Sequence, residues 1–110
     1  MIDKLEALLA AGQDSASLRF ALANHYLKSG HAERAIEHAE VAVSLDPNYS
    51  AAWRLLGQAQ VSAQRPDDAV RSFERGIVVA RTSGDRQVEK EMQVFLKRLR
   101  KAANGRTDSP

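Results

Sequence analysis

The sequence predicts an all-α protein of about six helices, and three observations carry that reading. The chain of 110 residues contains eighteen alanines but only six glycines and three prolines, a composition weighted towards the best helix former. The strand-favouring aromatics are just six, Phe20, Tyr26, Tyr49, Trp53, Phe73 and Phe95, and no stretch alternates polar and apolar residues over strand length. Helix breakers then cut the chain into six segments.

The segments follow in order. Residues 2–11 end at Gly12-Gln13-Asp14. Gly30 separates 16–29 from 32–45, supplying the left-handed residue with which many helices stop. Asp46-Pro47-Asn48 ends 32–45, because proline cannot continue a helix and restricts the residue before it. Arg65-Pro66-Asp67 separates 50–63 from 67–81, with Pro66 suited to a helix's opening position. Ser83-Gly84-Asp85 precedes a last helix over 86–101. That helix carries an apolar stripe, Val88, Met92, Phe95 and Leu99, for docking on 67–81, with Lys90, Lys97, Arg98 and Lys101 on its wet side. The polar tail 104–110 lacks an apolar face and is expected to be disordered.

Sliding the chain against itself by 34 residues exposes an internal repeat. Leu22 falls on Leu56, Ala23 on Gly57, Ala35 on Ala69 and Glu40 on Glu74, and the apolar positions Ile36/Val70 and Val43/Ile77 superpose. The same shift backwards puts Ile2 on Ile36, Glu6 on Glu40 and Leu9 on Val43, so the first segment reads as the second half of a repeat. After about residue 82 the period breaks, and the last helix needs a few extra residues to fall into line. The physical reason for the pattern is close packing of helix pairs. Small residues at Ala23/Gly57, Ala35/Ala69 and Ala42/Gly76 let backbones approach, while Leu22, Tyr26, Trp53, Leu56 and Phe73 fill the gaps. No single pair hides its apolar face alone, so the ends need caps.

This helix–turn–helix period resembles the tetratricopeptide repeat (TPR), whose loose pattern is W-x2-L-G-x2-Y, A-x3-F-x2-A and a late P. The first full repeat matches at Leu22, Ala23, Tyr26, Ala35, Ala42 and Pro47, with Arg19 in place of Trp and Ala39 in place of Phe. The second matches at Trp53, Leu56, Gly57, Ala69 and Phe73, with Gln60 in place of Tyr and Arg81 in place of Pro. Without that proline, helix 67–81 is expected to run on into the following loop. The resemblance implies a short right-handed α-solenoid forming one domain over 1–103. Its parts are a half-repeat helix (2–13), repeat 1 (16–49), repeat 2 (50–83) and a capping helix (85–101).

The family resemblance further implies a concave groove, lined by the first helix of each pair, that holds a peptide or helix of another protein. The residues offer a counterpart. On 16–29, Leu18, Leu22 and Tyr26 form the packing stripe, while Phe20, Asn24 and Leu27 lie on the other side at i, i+4, i+7. Their equivalents on 50–63 are Arg54, Gln58 and Val61; Lys28 pairs with Ser62, and Ser17 with Ala51. In this surface Phe20 would be an apolar anchor, Asn24 and Gln58 partners for backbone amides, and Arg54 a carboxylate binder. The other reading has Phe20 and Leu27 covered by the first or last helix and Arg54 solvated, and for Phe20 the two readings weigh equally. Asn24 stands where carboxylate-clamp TPR domains keep an asparagine, but Phe20 occupies the position of their lysine, leaving the clamp incomplete.

Composition narrows the remaining classes. The chain has no cysteine and so no disulfide or thiolate chemistry. No apolar run nears the ~20 residues that span a bilayer, and Met1-Ile2-Asp3-Lys4 opens no signal-peptide core, so a cytoplasmic protein is expected. His25, His31 and His38 show no metal-ligand spacing, Ser44 and Ser72 no organised base, and phosphate-binding glycine loops are lacking. Neither enzyme, metal nor cofactor is expected. The net charge of +2 does not by itself imply nucleic acid. The basic cluster Lys97, Arg98, Arg100, Lys101 and Arg106 is read as cations favoured at a helix C-terminus, so neither nucleic acid nor membrane is the expected partner. The leading expectation is a non-enzymatic scaffold binding another protein in the micromolar range. Self-association as a homodimer is the main rival, and a basic RNA- or membrane-associated module is a lesser one.

Overall fold

The computed structural model describes residues 2–107, which form α1 (Ile2–Ala10), α2 (Ala16–Lys28), α3 (Ala32–Leu45), α4 (Ser50–Ser62), α5 (Pro66–Ser83) and α6 (Arg86–Thr107). Among the described residues there is no strand. Several boundaries have a local cause. Ser15 caps α2, its Oγ accepting from the Leu18 amide at 3.1 Å. Pro66 opens α5, where its missing N–H costs nothing. Gly12, Gly30 and Gly84 turn the chain with φ of 85°, 81° and 76°.

The helices pack as successive pairs, α2 on α3 and α4 on α5, with α1 leaning on α2 and α6 on α5 and α4. Small residues hold the contacts: Ala23, Ala35, Ala39, Ala42, Ala52, Ala59, Ala69 and Ala80 are all fully buried. A Cβ on Gly57 would overlap the Phe73 ring, and one on Gly76 would lie 2.8 Å from Trp53 Cβ. Two apolar clusters result, one spanning α2–α4 and one spanning α5–α6, and Trp53 packs against both. The Trp53 indole also donates to the Pro47 carbonyl at 2.9 Å, fixing the turn before α4.

Where the tetratricopeptide pattern has a tyrosine, the buried Gln60 accepts a hydrogen bond from Ser72 Oγ at 2.6 Å. Burial of an amide is tolerable only with such a partner.

The period slips between α4 and α6. Helices α2 and α4 begin 34 residues apart, at Ala16 and Ser50, but α6 begins at Arg86, 36 residues after α4. The cause is α5, which runs to Ser83 where a strict repeat of α3 would stop four residues earlier, and a two-residue link, Gly84-Asp85, in place of the four residues 46–49. Asp85 ties the slip down by accepting from Ser50 Oγ at 2.8 Å.

The expected end of the last helix is corrected. The last helix does not stop at 101: it continues to Thr107, so 104–107 of the expected disordered tail are helical, and 108–110 lie outside the described residues. Its buried seam is Val88, Met92 and Leu96, while Phe95 and Leu99 are half-buried. Leu96, four residues after Met92, completes the stripe.

Candidate functional site

Helices α2, α4 and α6 lie side by side, since α4 touches both of the others. Between them runs a concavity of about 480 Å³ lined by Asn24, Leu27 and Lys28 of α2, by Leu55, Gln58, Val61 and Ser62 of α4, and by Phe95 of α6. Its floor is apolar. Phe95 is stacked on the fully buried Phe73, centroids 5.3 Å apart, so its position is set by the core. Val61 remains 40% exposed, and its neighbours Leu27 and Phe95 are half-buried. Two side-chain amides, Asn24 and Gln58, face this floor, and each can donate and accept. Lys28 is the one charged residue among the described residues lining it. It stands in the last turn of α2, where the helix dipole favours a cation.

Of the ten residues singled out from the sequence, six meet here: Asn24, Leu27, Lys28, Gln58, Val61 and Ser62. Ser17 is exposed and Ala51 half-buried, and neither lines the concavity. Phe20 is elsewhere too. Its ring, half-buried, stacks on Tyr49 of the α3–α4 turn at 5.1 Å and packs against the α2–α4 core. Arg54, expected to bind a ligand carboxylate, already holds one: its Nη1 lies 2.7 Å from Glu91 Oε1 of α6. Leu55 and Phe95 were not anticipated. Phe95 was legible only as a docking residue of the last helix; nothing in its spacing shows that its outer edge borders a cleft.

The histidines gather about one ring. His38 stacks on Tyr26 at 5.6 Å, His25 and His31 meet it edge-on, and Arg34 lies 5.5 Å from its centroid. The Tyr26 hydroxyl donates to Glu6 at 2.6 Å, fastening α1 to α2. That hydrogen bond, followed by burial, raises the Tyr26 pKa. Arg19 grips Asp14 with two hydrogen bonds and lies 3.0 Å from His38 Nδ1. Burial first, and the Arg19 charge second, push the His38 pKa below its ordinary value. Among the described residues no three His, Cys, Asp or Glu converge as a metal site.

Stacked antiparallel helix pairs, a register of 34 residues and a concave inner wall define an α-helical repeat protein. The tetratricopeptide repeat profile matches residues 2–50 and again 20–85. The TPR repeat-containing protein PA0015 of Pseudomonas aeruginosa is 50% identical over 102 residues, spanning 93% of this chain and 97% of that one. The chain therefore belongs to the tetratricopeptide repeat family, whose domains are in general protein–protein interaction modules. Solved structures agree. The solution structure of protein BPP2914 from Bordetella parapertussis has a TM-score of 0.79 at 39% identity, covering 91% of this chain and 87% of that one. A tetratricopeptide repeat domain protein from Salinibacter ruber gives 0.73 at 32% identity, covering 79% and 97%. More distantly, the heat-shock protein cognate co-chaperone sgt12 of Aspergillus fumigatus is 31% identical over 80 residues, which are 73% of this chain but 24% of that protein. No helix among the described residues is long and apolar enough to cross a membrane.

Proposed function

We propose that this domain is a non-enzymatic scaffold that holds an extended segment of a partner protein in the concavity between α2, α4 and α6. The observation that carries the reading is the pairing of two side-chain amides, Asn24 and Gln58, above an apolar floor of Leu27, Leu55, Val61 and Phe95. An extended peptide offers unpaired backbone N–H and C=O groups to such amides and an apolar side chain to such a floor. Lys28 adds one cation at the edge, suited to an acidic residue of the bound segment. The contact area is small, so the affinity belongs in the micromolar range.

A chaperone-tail clamp has weaker support, despite the distant co-chaperone relative. It would rest on Asn24 alone, since Phe20 replaces the clamp lysine and Arg54 is engaged by Glu91.

Selection from a displayed random-peptide library tests the reading. Peptides enriched on the wild type should bind the Asn24→Ala/Gln58→Ala variant at least tenfold more weakly, with helicity by circular dichroism unchanged, because two hydrogen bonds of about 1 kcal/mol each are lost. Peptides that bind both proteins equally would place recognition elsewhere.

A further inference from the structure

Charge is divided unevenly along this chain. Residues 1–50 carry four Lys+Arg against seven Asp+Glu (−3), and residues 51–110 carry twelve against seven (+5). The excess on each side is concentrated on one helix. On α3, Glu33, Glu37 and Glu40 are exposed at i, i+4, i+7, forming one stripe. On α6, Arg86, Lys90, Lys97 and Lys101 are exposed at i, i+4, i+11, i+15, again one stripe, opposite the buried seam of Val88, Met92 and Leu96.

Many charges of this chain are already matched internally: Arg54 with Glu91, Arg65 with Glu33, Arg81 with Glu89, and Arg100 with Glu74. Glu37, Glu40, Lys90, Lys97 and Lys101 form no ion pair among the described residues. Each stripe also borders apolar surface. Glu37 and Glu40 flank a trough of about 410 Å³ that includes Val41 and Leu45, the latter 52% exposed. Arg19 reaches the edge of that trough, but its guanidinium is held by Asp14. Lys97 and Lys101 flank a trough of about 530 Å³ over Leu96, and Val94, 49% exposed, lies next to Lys90 on the helix surface. The spacings correspond: along the axis, Glu37 and Glu40 are about 4.5 Å apart and Lys97 and Lys101 about 6 Å.

Within one molecule the two stripes cannot meet, because α3 packs on α2 and α4 whereas α6 packs on α4 and α5. We propose that α3 of one copy docks on α6 of a second copy of this chain, Glu37 and Glu40 facing Lys97 and Lys101 around Leu45 and Val94. The surface lies outside the concavity between α2, α4 and α6, so the association leaves that concavity open. Complementary charge sets the pairing and its on-rate, the two exposed apolar side chains supply buried area, and salt opposes both the steering and the attraction.

Sedimentation velocity over a range of concentrations, at low and at high ionic strength, tests this. The wild type should grow beyond its 12.1 kDa monomer mass as concentration rises at low salt and return to it at high salt. Lys97→Glu/Lys101→Glu and Glu37→Lys/Glu40→Lys should each weaken association about tenfold or more. The variant with all four substitutions keeps the wild-type net charge and restores the match with its sign inverted, so it should associate as the wild type does. All four side chains are exposed, and circular dichroism checks that each variant stays folded. A wild type that remains monomeric at low salt overturns the proposal, as does a fourfold variant no better than either double one. Retention of the wild type on a heparin column without any self-association would assign the α6 stripe to a different anion and overturn it equally.

Discussion

Gly57 on α4 lies directly beneath the Phe73 ring of α5, so close that a Cβ at position 57 would overlap ring carbons. Phe73 is fully buried and stacked on Phe95. The contact decides the sign of a simple substitution. Gly57→Ala in an exposed helix would stabilise by about 1 kcal/mol, but overpacking a closed core costs about 1–3 kcal/mol. The expected outcome is a net loss of up to about 2 kcal/mol, read as a lower urea midpoint with an unchanged slope. A stabilised variant would show that α4 and α5 have room to part.

The Gln60–Ser72 hydrogen bond is buried at both ends. Ser72→Ala strips the Gln60 carbonyl of its partner and should cost about 1–3 kcal/mol. Gln60→Leu together with Ser72→Ala removes both polar groups, and the pair should recover most of that loss. A double-mutant cycle from denaturant unfolding measures the coupling; strictly additive losses would mean that the hydrogen bond contributes nothing.

Gln64 has φ of +60°, the one described non-glycine residue in the left-handed region. Its repeat equivalent 34 positions earlier is Gly30, with φ of 81°. A side chain there costs about 1–2 kcal/mol, offset in part by the entropy that glycine gives up on folding. Gln64→Gly should therefore raise stability by about 0.5–1 kcal/mol in chemical denaturation.

His38 makes stability depend on pH. Burial, and next the Arg19 charge, hold its folded pKa below the 6.5 of an unperturbed histidine, while Glu6, Glu37 and Asp14 act in the opposite sense. A base whose folded pKa is lowered binds its proton more readily when unfolded. Its contribution is complete above pH 6.5 and is lost as pH falls from there through the folded pKa. The melting temperature should drop across that window, and His38→Gln should flatten the drop. An equally steep profile in the variant would remove His38 as the cause.

Phe20→Ala separates packing from recognition. The ring stacks on Tyr49 and joins the α2–α4 core, so its loss should lower stability by about 1–2 kcal/mol, a discounted cost for a half-buried aromatic. Peptides selected on the wild type should still bind the folded variant. Loss of binding at full helicity would return Phe20 to the recognition surface.

Alanine content, the breakers at Gly30, Pro47, Pro66 and Gly84, and the recurrence of small residues at 34-residue spacing determined the helices, their order and the repeat, because these are properties of neighbours along the chain. Periodicity also placed Asn24, Leu27, Gln58 and Val61 on one inner wall, where they stand. It could not decide what lies across from a face. Phe20 and Arg54 occupy corresponding helix positions, yet one is stacked on Tyr49 and the other is held by Glu91, 37 residues away. Leu55 borders the cleft from the α2–α4 core, and Phe95 reaches it from α6 where it stacks on Phe73 of α5. A helix's period fixes the direction in which a side chain leaves the axis. Which partner closes over it is fixed only when distant segments pack, and there the tertiary structure had the decision.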